Sequence, residues 1–81
     1  MTKLEEKLIQ LGYKIFRKEN DGCIIYRKTN IGGYLEIHIF DNNVFKSGVL
    51  FPLIITTEWE LKNINRAFNQ LQKDLEVLKD E

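Results

Sequence analysis

Residues 23–40 decide the fold, and their sequence is CIIYRKTNIGGYLEIHIF. They predict two antiparallel strands, 23–29 and 34–40, because β-branched and aromatic residues dominate both segments and the intervening NIGG has the composition of a turn. If residues 30–33 form a four-residue loop, Thr29 lies opposite Tyr34. The side-chain period of two then fixes every further pair of the hairpin.

This register divides the hairpin into a core face and an outer face. The core face carries the pairs Ile24–Ile39 and Tyr26–Ile37, with Lys28 beside Leu35. The outer face carries the pairs Cys23–Phe40, Ile25–His38 and Arg27–Glu36. The Arg27–Glu36 pair supports the register, since opposite charges that face each other across two strands are stabilising. We expect helices to pack on the core face.

Further strands extend the hairpin on both sides. Upstream, residues 13–19 predict a strand joined to the hairpin by the turn at 20–22, NDG. This strand adds Tyr13 and Ile15 to the core face. It adds Lys14, Phe16 and Lys18 to the outer face. Downstream, residues 44–55 predict a short strand, a break at Gly48 and an extended apolar segment. Pro52 cannot donate to a strand ladder, so that segment belongs at a sheet edge or in a connection.

Two helices flank the strands. The first, over residues 3–11, begins with a capping box of Thr2 and Glu5 and ends before Gly12, which suits a left-handed C-terminal cap. The second begins with a capping box of Thr57 and Glu60 and runs to about residue 79. Its apolar residues alternate in steps of three and four, which places them on one side of the helix: Leu61, Ile64, Phe68, Leu71, Leu75 and Leu78.

The order of these elements predicts a two-layer α+β fold, α-β-β-β-(β)-α. An antiparallel meander of three to four strands is covered on one face by a short N-terminal and a long C-terminal helix. At this length we expect residues 1–81 to form a single domain. The long helix would span about 33 Å and a strand about 23 Å, so Leu75 and Leu78 should extend past the sheet. There either the first helix or a partner covers them.

The outer face is the predicted interaction surface, because it is too apolar to be left open to water. Either residues 44–55 fold over it or a second protein molecule covers it. Trp59, near the start of the long helix, is either a packing residue or an interface anchor. The candidate interaction residues are Phe16, Lys18, Ile25, Arg27, Tyr34, His38, Phe40, Trp59, Leu75 and Leu78.

Composition disfavours several functional classes. The 12 basic and 12 acidic residues balance, so no net charge favours nucleic acid or an anionic membrane. Cys23 is the single cysteine, which excludes an intramolecular disulfide, and the sequence predicts neither a metal site nor a cofactor. The longest apolar run, 48–55, is too short to span a bilayer, and the N-terminus is acidic too early for a signal peptide. We expect a cytoplasmic protein that does not bind membranes.

No catalytic pattern accompanies these elements. His38 is the single histidine, and Glu36 on the same face is placed to form an ion pair with it. A general base would also need a nucleophile or substrate group within reach, and the sequence offers none beside His38. Cys23 fits a small packing residue better than a reactive thiol. We expect no enzymatic activity.

The order helix, three strands, helix resembles that of the double-stranded-RNA-binding domain over most of the chain. That family carries a lysine cluster at the start of its second helix. Here the corresponding residues 57–60 are TEWE, which are acidic and would repel phosphate. The resemblance therefore extends to the order of elements, which does not by itself carry function.

These observations favour a small, non-enzymatic protein-interaction module that acts through homodimerisation or a protein partner. The heavy use of Ile, Asn and Lys indicates an AT-rich genome, and the small size is typical of accessory proteins of phages and mobile elements. The alternative is binding of single-stranded or double-stranded nucleic acid by the outer face, where aromatic rings alternate with cations.

Overall fold

A computed structural model describes residues 2–30, 32–51 and 58–79. Within these residues the chain forms two helices and four strands: α1 (Lys3–Gln10), β1 (Lys14–Lys18), β2 (Ile24–Asn30), β3 (Gly33–Phe40), β4 (Asn43–Leu50) and α2 (Glu58–Lys79). The strands form one antiparallel sheet in the order β1-β2-β3-β4. This confirms the predicted α+β order, with the optional fourth strand present.

Helix α1 is built as its sequence predicts. The Glu5 N–H donates to Thr2 Oγ1, and the Thr2 N–H donates to Glu5 Oε1, both at 3.2 Å. These bonds lower the pKa of Glu5. At the other end Gly12 has a φ of 98°, and the Tyr13 N–H donates to the Leu8 carbonyl at 2.9 Å. The left-handed Gly12 turns the chain directly from α1 into the sheet.

The central hairpin has the predicted register. Thr29 pairs with Tyr34, and the pairs continue without a shift to Ile24–Ile39. The next hairpin, β3–β4, turns through Asp41 and Asn42, which both have positive φ (51° and 60°). Positive φ at both central residues is the geometry of a two-residue hairpin turn, and Asp and Asn tolerate it well.

Each edge strand contains a β-bulge. In β1 the register shifts at Phe16, so Ile15 pairs with Tyr26 and Arg17 pairs with Ile25. In β4 it shifts at Phe45. The first bulge makes the predicted place of Lys18 wrong: Lys18 pairs with Ile24 and therefore belongs to the core face, at its edge.

Strand β4 corrects the prediction for residues 44–55. It runs without a break through Gly48, which pairs with Glu36. Residues 44–50 thus widen the sheet and do not fold over the outer face, and Phe51 packs against the core. Pro52 and the rest of the predicted apolar segment lie outside the described residues, as does the Thr57 side of the second capping box.

The core lies between the helices and the core face of the sheet. Its buried apolar members are Leu8, Tyr13, Tyr26, Leu35, Ile37, Ile39, Ala67, Leu71 and Leu78. A polar cluster lies among them. Asp74, 2% exposed, accepts hydrogen bonds from Tyr13 Oη (2.9 Å), Lys28 Nζ (2.8 Å) and Gln70 Nε2 (2.9 Å). Lys28 Nζ also donates to the Leu11 carbonyl at 2.9 Å. This cluster ties α2 to β2 and to the segment after α1.

The buried side of α2 differs from the predicted stripe. Within residues 61–79 it consists of Asn63, Ala67, Leu71, Asp74 and Leu78. Leu61 and Phe68, expected in the core, are 52% and 47% exposed, whereas Leu78 is buried and Leu75 packs beside it. Leu75 and Leu78 were expected to be covered either by the first helix or by a partner, and the structure shows the first of these. Helix α1 provides the cover, and Lys7 Nζ donates to the Val77 carbonyl at 3.2 Å.

Candidate interaction surface

The outer face of the sheet is the side opposite the core that packs on the helices. Large apolar side chains on it remain exposed: Phe16 (50%), Tyr34 (38%), Phe40 (45%), Phe45 (68%) and Leu50 (43%). The rings of Phe40 and Phe45 pack against each other, with centroids 6.4 Å apart. Ile25, at the middle of the face, is 3% exposed because the surrounding side chains enclose it. The outer face therefore has a buried apolar residue at its centre and exposed, mostly aromatic side chains around it.

A chain of charged and aromatic side chains crosses the middle strands of this face. The Arg27 guanidinium lies 3.6 Å from the Phe16 ring centroid and 4.9 Å from that of Tyr34. It also donates from Nε (3.0 Å) and Nη2 (2.6 Å) to Glu36 Oε2. The other carboxylate oxygen of Glu36 is 2.7 Å from His38 Nε2. These contacts hold the rings in place, since a planar guanidinium can stack and hydrogen-bond at once.

The environment of Glu36 keeps its carboxylate charged. Partial burial raises its pKa, but the hydrogen bonds from His38 and Arg27, together with their charges, outweigh this effect and hold the pKa below its ordinary value. The carboxylate thus neutralises Arg27 within the face. An anion in this position weakens the attraction of the face for phosphate.

A shallow depression opens on the outer face at Gly48. Its lining includes Glu36, His38, Lys46 and Leu50. A Cβ built on Gly48 would have no neighbour within 4 Å, so the space above the residue is open. Ser47 also borders the depression, but it pairs with Ile37 on the core face. Among the described residues no hydroxyl or thiol hydrogen-bonds His38, and the hydrogen-bonded side chains of Glu36 and His38 line one side of the depression.

The structure brings together most of the predicted interaction residues and separates others from them. Phe16, Arg27, Tyr34, His38 and Phe40 share the outer face, with Ile25 at its centre. Lys18 pairs on the core face, and Leu75 and Leu78 pack in the core. Trp59 is within α2, but its side chain lies outside the described residues.

The sequence did not predict that Arg17, Phe45, Lys46 and Leu50 lie on the outer face; the bulge at Phe16 brings Arg17 to this side. Phe45, Lys46 and Leu50 belong to β4, which the sequence analysis treated as a short strand broken at Gly48. The signal that could have indicated them is the turn at 41–42, because a two-residue hairpin turn fixes the register with which the following residues pair with β3.

Comparison with models of known protein families, with curated proteins and with solved structures finds no match for this chain. The fourth strand also separates the fold from the three-stranded order of the double-stranded-RNA-binding domain. Neither α1 nor the described length of α2 is apolar enough to cross a membrane. Within the described ranges no three His, Cys, Asp or Glu side chains cluster in a way that could hold a metal ion.

Proposed function

We propose that this protein is a small, non-enzymatic protein-interaction module and that the outer face of its sheet is the binding surface. The observation that carries the proposal is the set of five large apolar side chains exposed together on one face, opposite the helices. Aromatic residues are enriched in protein interfaces, where a few well-packed side chains supply most of the binding free energy.

The edges of the sheet support association through the face rather than through strand addition. Strand β1 carries Lys14 and Lys18 and a bulge at Phe16, and β4 carries Lys46 and a bulge at Phe45. Charged residues and bulges on edge strands disfavour pairing with a further strand. The face between these edges remains open to a partner, which is either another protein or a second copy of the chain.

The test compares two matched variants, F45D and F68D. Phe45 lies on the outer face and Phe68 on exposed α2, so each substitution places a charge on an exposed ring position. Self-association is measured by sedimentation velocity, and partner association by affinity capture from lysate of the source cell. We expect association to fall at least tenfold in F45D and to persist in F68D. Equal association of wild type and F45D in both assays would refute the proposal.

Binding of single-stranded nucleic acid is the second candidate, because exposed rings lie beside the cations Lys14 and Lys46. Two other cations of the face are already paired: Arg27 with Glu36, and Arg17 with Glu19 at 2.9 Å. This pairing favours a protein partner. Titration of a labelled oligothymidylate at 50 and 200 mM salt tests the alternative, which requires an affinity that falls steeply with salt.

The cellular setting is proposed from composition. The single cysteine, Cys23, is buried, which suits a reducing cytoplasm, and the AT-rich residue usage suits an accessory protein of a phage or mobile element.

A further inference from the structure

The two bulges give the outer face an unusual arrangement of charge. A bulge places two successive residues opposite one partner, so both of them lie on the same side of the sheet. In β1 these residues are Phe16 and Arg17, opposite Ile25. In β4 they are Phe45 and Lys46, opposite His38. Each edge of the outer face therefore presents an aromatic ring beside a cation.

The edge strands β1 and β4 form the two rims of the outer face, and their lysines differ in pairing from Arg27 at the centre of the face. Arg27 is bound to Glu36 and stacked on Phe16, so its charge is satisfied within the face. Lys14 and Lys46 are exposed, and neither ammonium group has a carboxylate partner within residues 2–30, 32–51 and 58–79. Charge that can recognise a partner is thus concentrated at the two rims.

The face also differs in charge from the chain as a whole. Among the described residues it carries four basic side chains, Lys14, Arg17, Arg27 and Lys46, and two acidic ones, Glu19 and Glu36. The chain as a whole has 12 of each kind and no net charge. The described part of the outer face therefore has an excess of two positive charges, whereas the chain as a whole has none.

This distribution disfavours a second copy as the occupant of the face. Two sheets that pack face to face by a two-fold axis place β1 on β1 or β1 on β4, depending on the direction of the axis. Each edge carries a lysine without a carboxylate partner among the described residues, so either arrangement places Lys14 at the same edge as Lys14 or Lys46 of the other copy. Like charges that meet across an interface oppose association.

We propose that the occupant is a short acidic segment of another protein, a proposal that rests on the function proposed above. Its carboxylates pair with Lys14 and Lys46 at the two rims, and its apolar side chains lie on the aromatic rings and in the depression at Gly48. Three strand spacings separate the rims by about 14 Å. An extended segment of about five residues covers that distance.

The test is selection from a random dodecapeptide library displayed on phage, with the full chain immobilised. Three forms are compared: wild type, K14E/K46E, and the matched control K62E/R66E, whose reversed charges lie on exposed α2. We expect wild type and K62E/R66E to select peptides with a net charge of −2 or below that also contain apolar residues. We expect K14E/K46E to lose this preference. A labelled peptide selected on wild type should bind K14E/K46E about tenfold more weakly, by fluorescence anisotropy.

Several results would overturn the inference. They are selection of neutral or basic peptides, an unchanged acidic preference on K14E/K46E, the absence of any selected peptide, and tighter binding of an oligothymidylate than of the selected peptides. The last result would indicate nucleic acid. If these results appear while wild type self-associates and F45D does not, the acidic partner is refuted and the proposed function stands. If F45D also associates like wild type, both fail.

Discussion

Substitution of Asp74 by alanine tests how the helix layer is attached to the sheet. Asp74 is buried and accepts from Tyr13, Lys28 and Gln70, so D74A leaves the Tyr13 hydroxyl and the Lys28 ammonium without their carboxylate. Removal of one member of a buried charged pair costs about 3–5 kcal/mol. A chain of 81 residues has a free energy of unfolding of about 4–12 kcal/mol. The substitution should therefore remove a large part of the total stability.

The assay is urea unfolding followed by far-ultraviolet circular dichroism. With a slope of about 1–1.5 kcal/mol per molar urea, the midpoint of D74A should fall by about 2 M or more. The matched control is E76A, an exposed carboxylate two residues along the same helix, which should shift the midpoint little. The double variant K28M/D74L removes both charges and should recover the part of the loss that comes from the uncompensated Lys28 charge, whereas the buried Tyr13 hydroxyl stays without its acceptor. A loss below about 1 kcal/mol in D74A would refute the reasoning.

The remaining predictions concern other elements. L78A should lower the free energy of unfolding by about 2–5 kcal/mol, and L61A by less than about 0.5 kcal/mol, since Leu78 is buried and Leu61 exposed; equal losses in urea unfolding would contradict the observed face of α2. The pKa of Glu36 is lowered in the folded state, so its stabilising effect is complete above the ordinary value of 4.5 and is lost as the pH falls through the lower folded value. E36Q should therefore lose less stability than wild type between about pH 5 and pH 2 in the same assay, and parallel pH profiles would exclude this role of Glu36. G48V should raise stability by about 0.5–1 kcal/mol, because valine suits a strand and Gly48 has open space above it, and should still weaken partner binding by filling the depression; unchanged affinity for a selected peptide would show that the depression is not used.

The hairpin and the N-terminal helix were predictable because local rules decide them. The register from Thr29–Tyr34 to Ile24–Ile39 follows from one turn and a period of two, and the Thr2–Glu5 capping box is readable over four residues. The bulges were not predictable, since Phe16 and Phe45 fit a regular alternation equally well. Their consequence, the move of Lys18 to the core face, depends on pairing that the neighbouring strand determines.

The rotation of α2 could not be predicted from its own sequence. Periodicity favoured Leu61 and Phe68 as core residues and placed Asp74 outside the core. The partners that bury Asp74 are Tyr13 and Lys28, which lie 61 and 46 residues earlier in the chain. A polar side chain can be buried when its hydrogen-bond donors are buried with it, and whether they are depends on the tertiary structure.

The sequence predicted part of the outer face, and the structure adds the residues of β4 to it. The rings of Phe16, Tyr34 and Phe40 were placed on it from the register, whereas Phe45, Lys46 and Leu50 required a continuous strand through Gly48. Of the two rim cations that we propose to recognise a partner, the sequence therefore predicted the place of Lys14 and not that of Lys46.

Amide chemical-shift mapping tests the proposal that the outer face of the sheet binds a protein partner. The 15N-labelled chain is titrated with a peptide selected on wild type. We expect the largest shifts in β1–β4, around Arg17, His38 and Lys46, and little shift in residues 61–79 of α2. Shifts centred on α2, with the strands unaffected, would contradict the proposal.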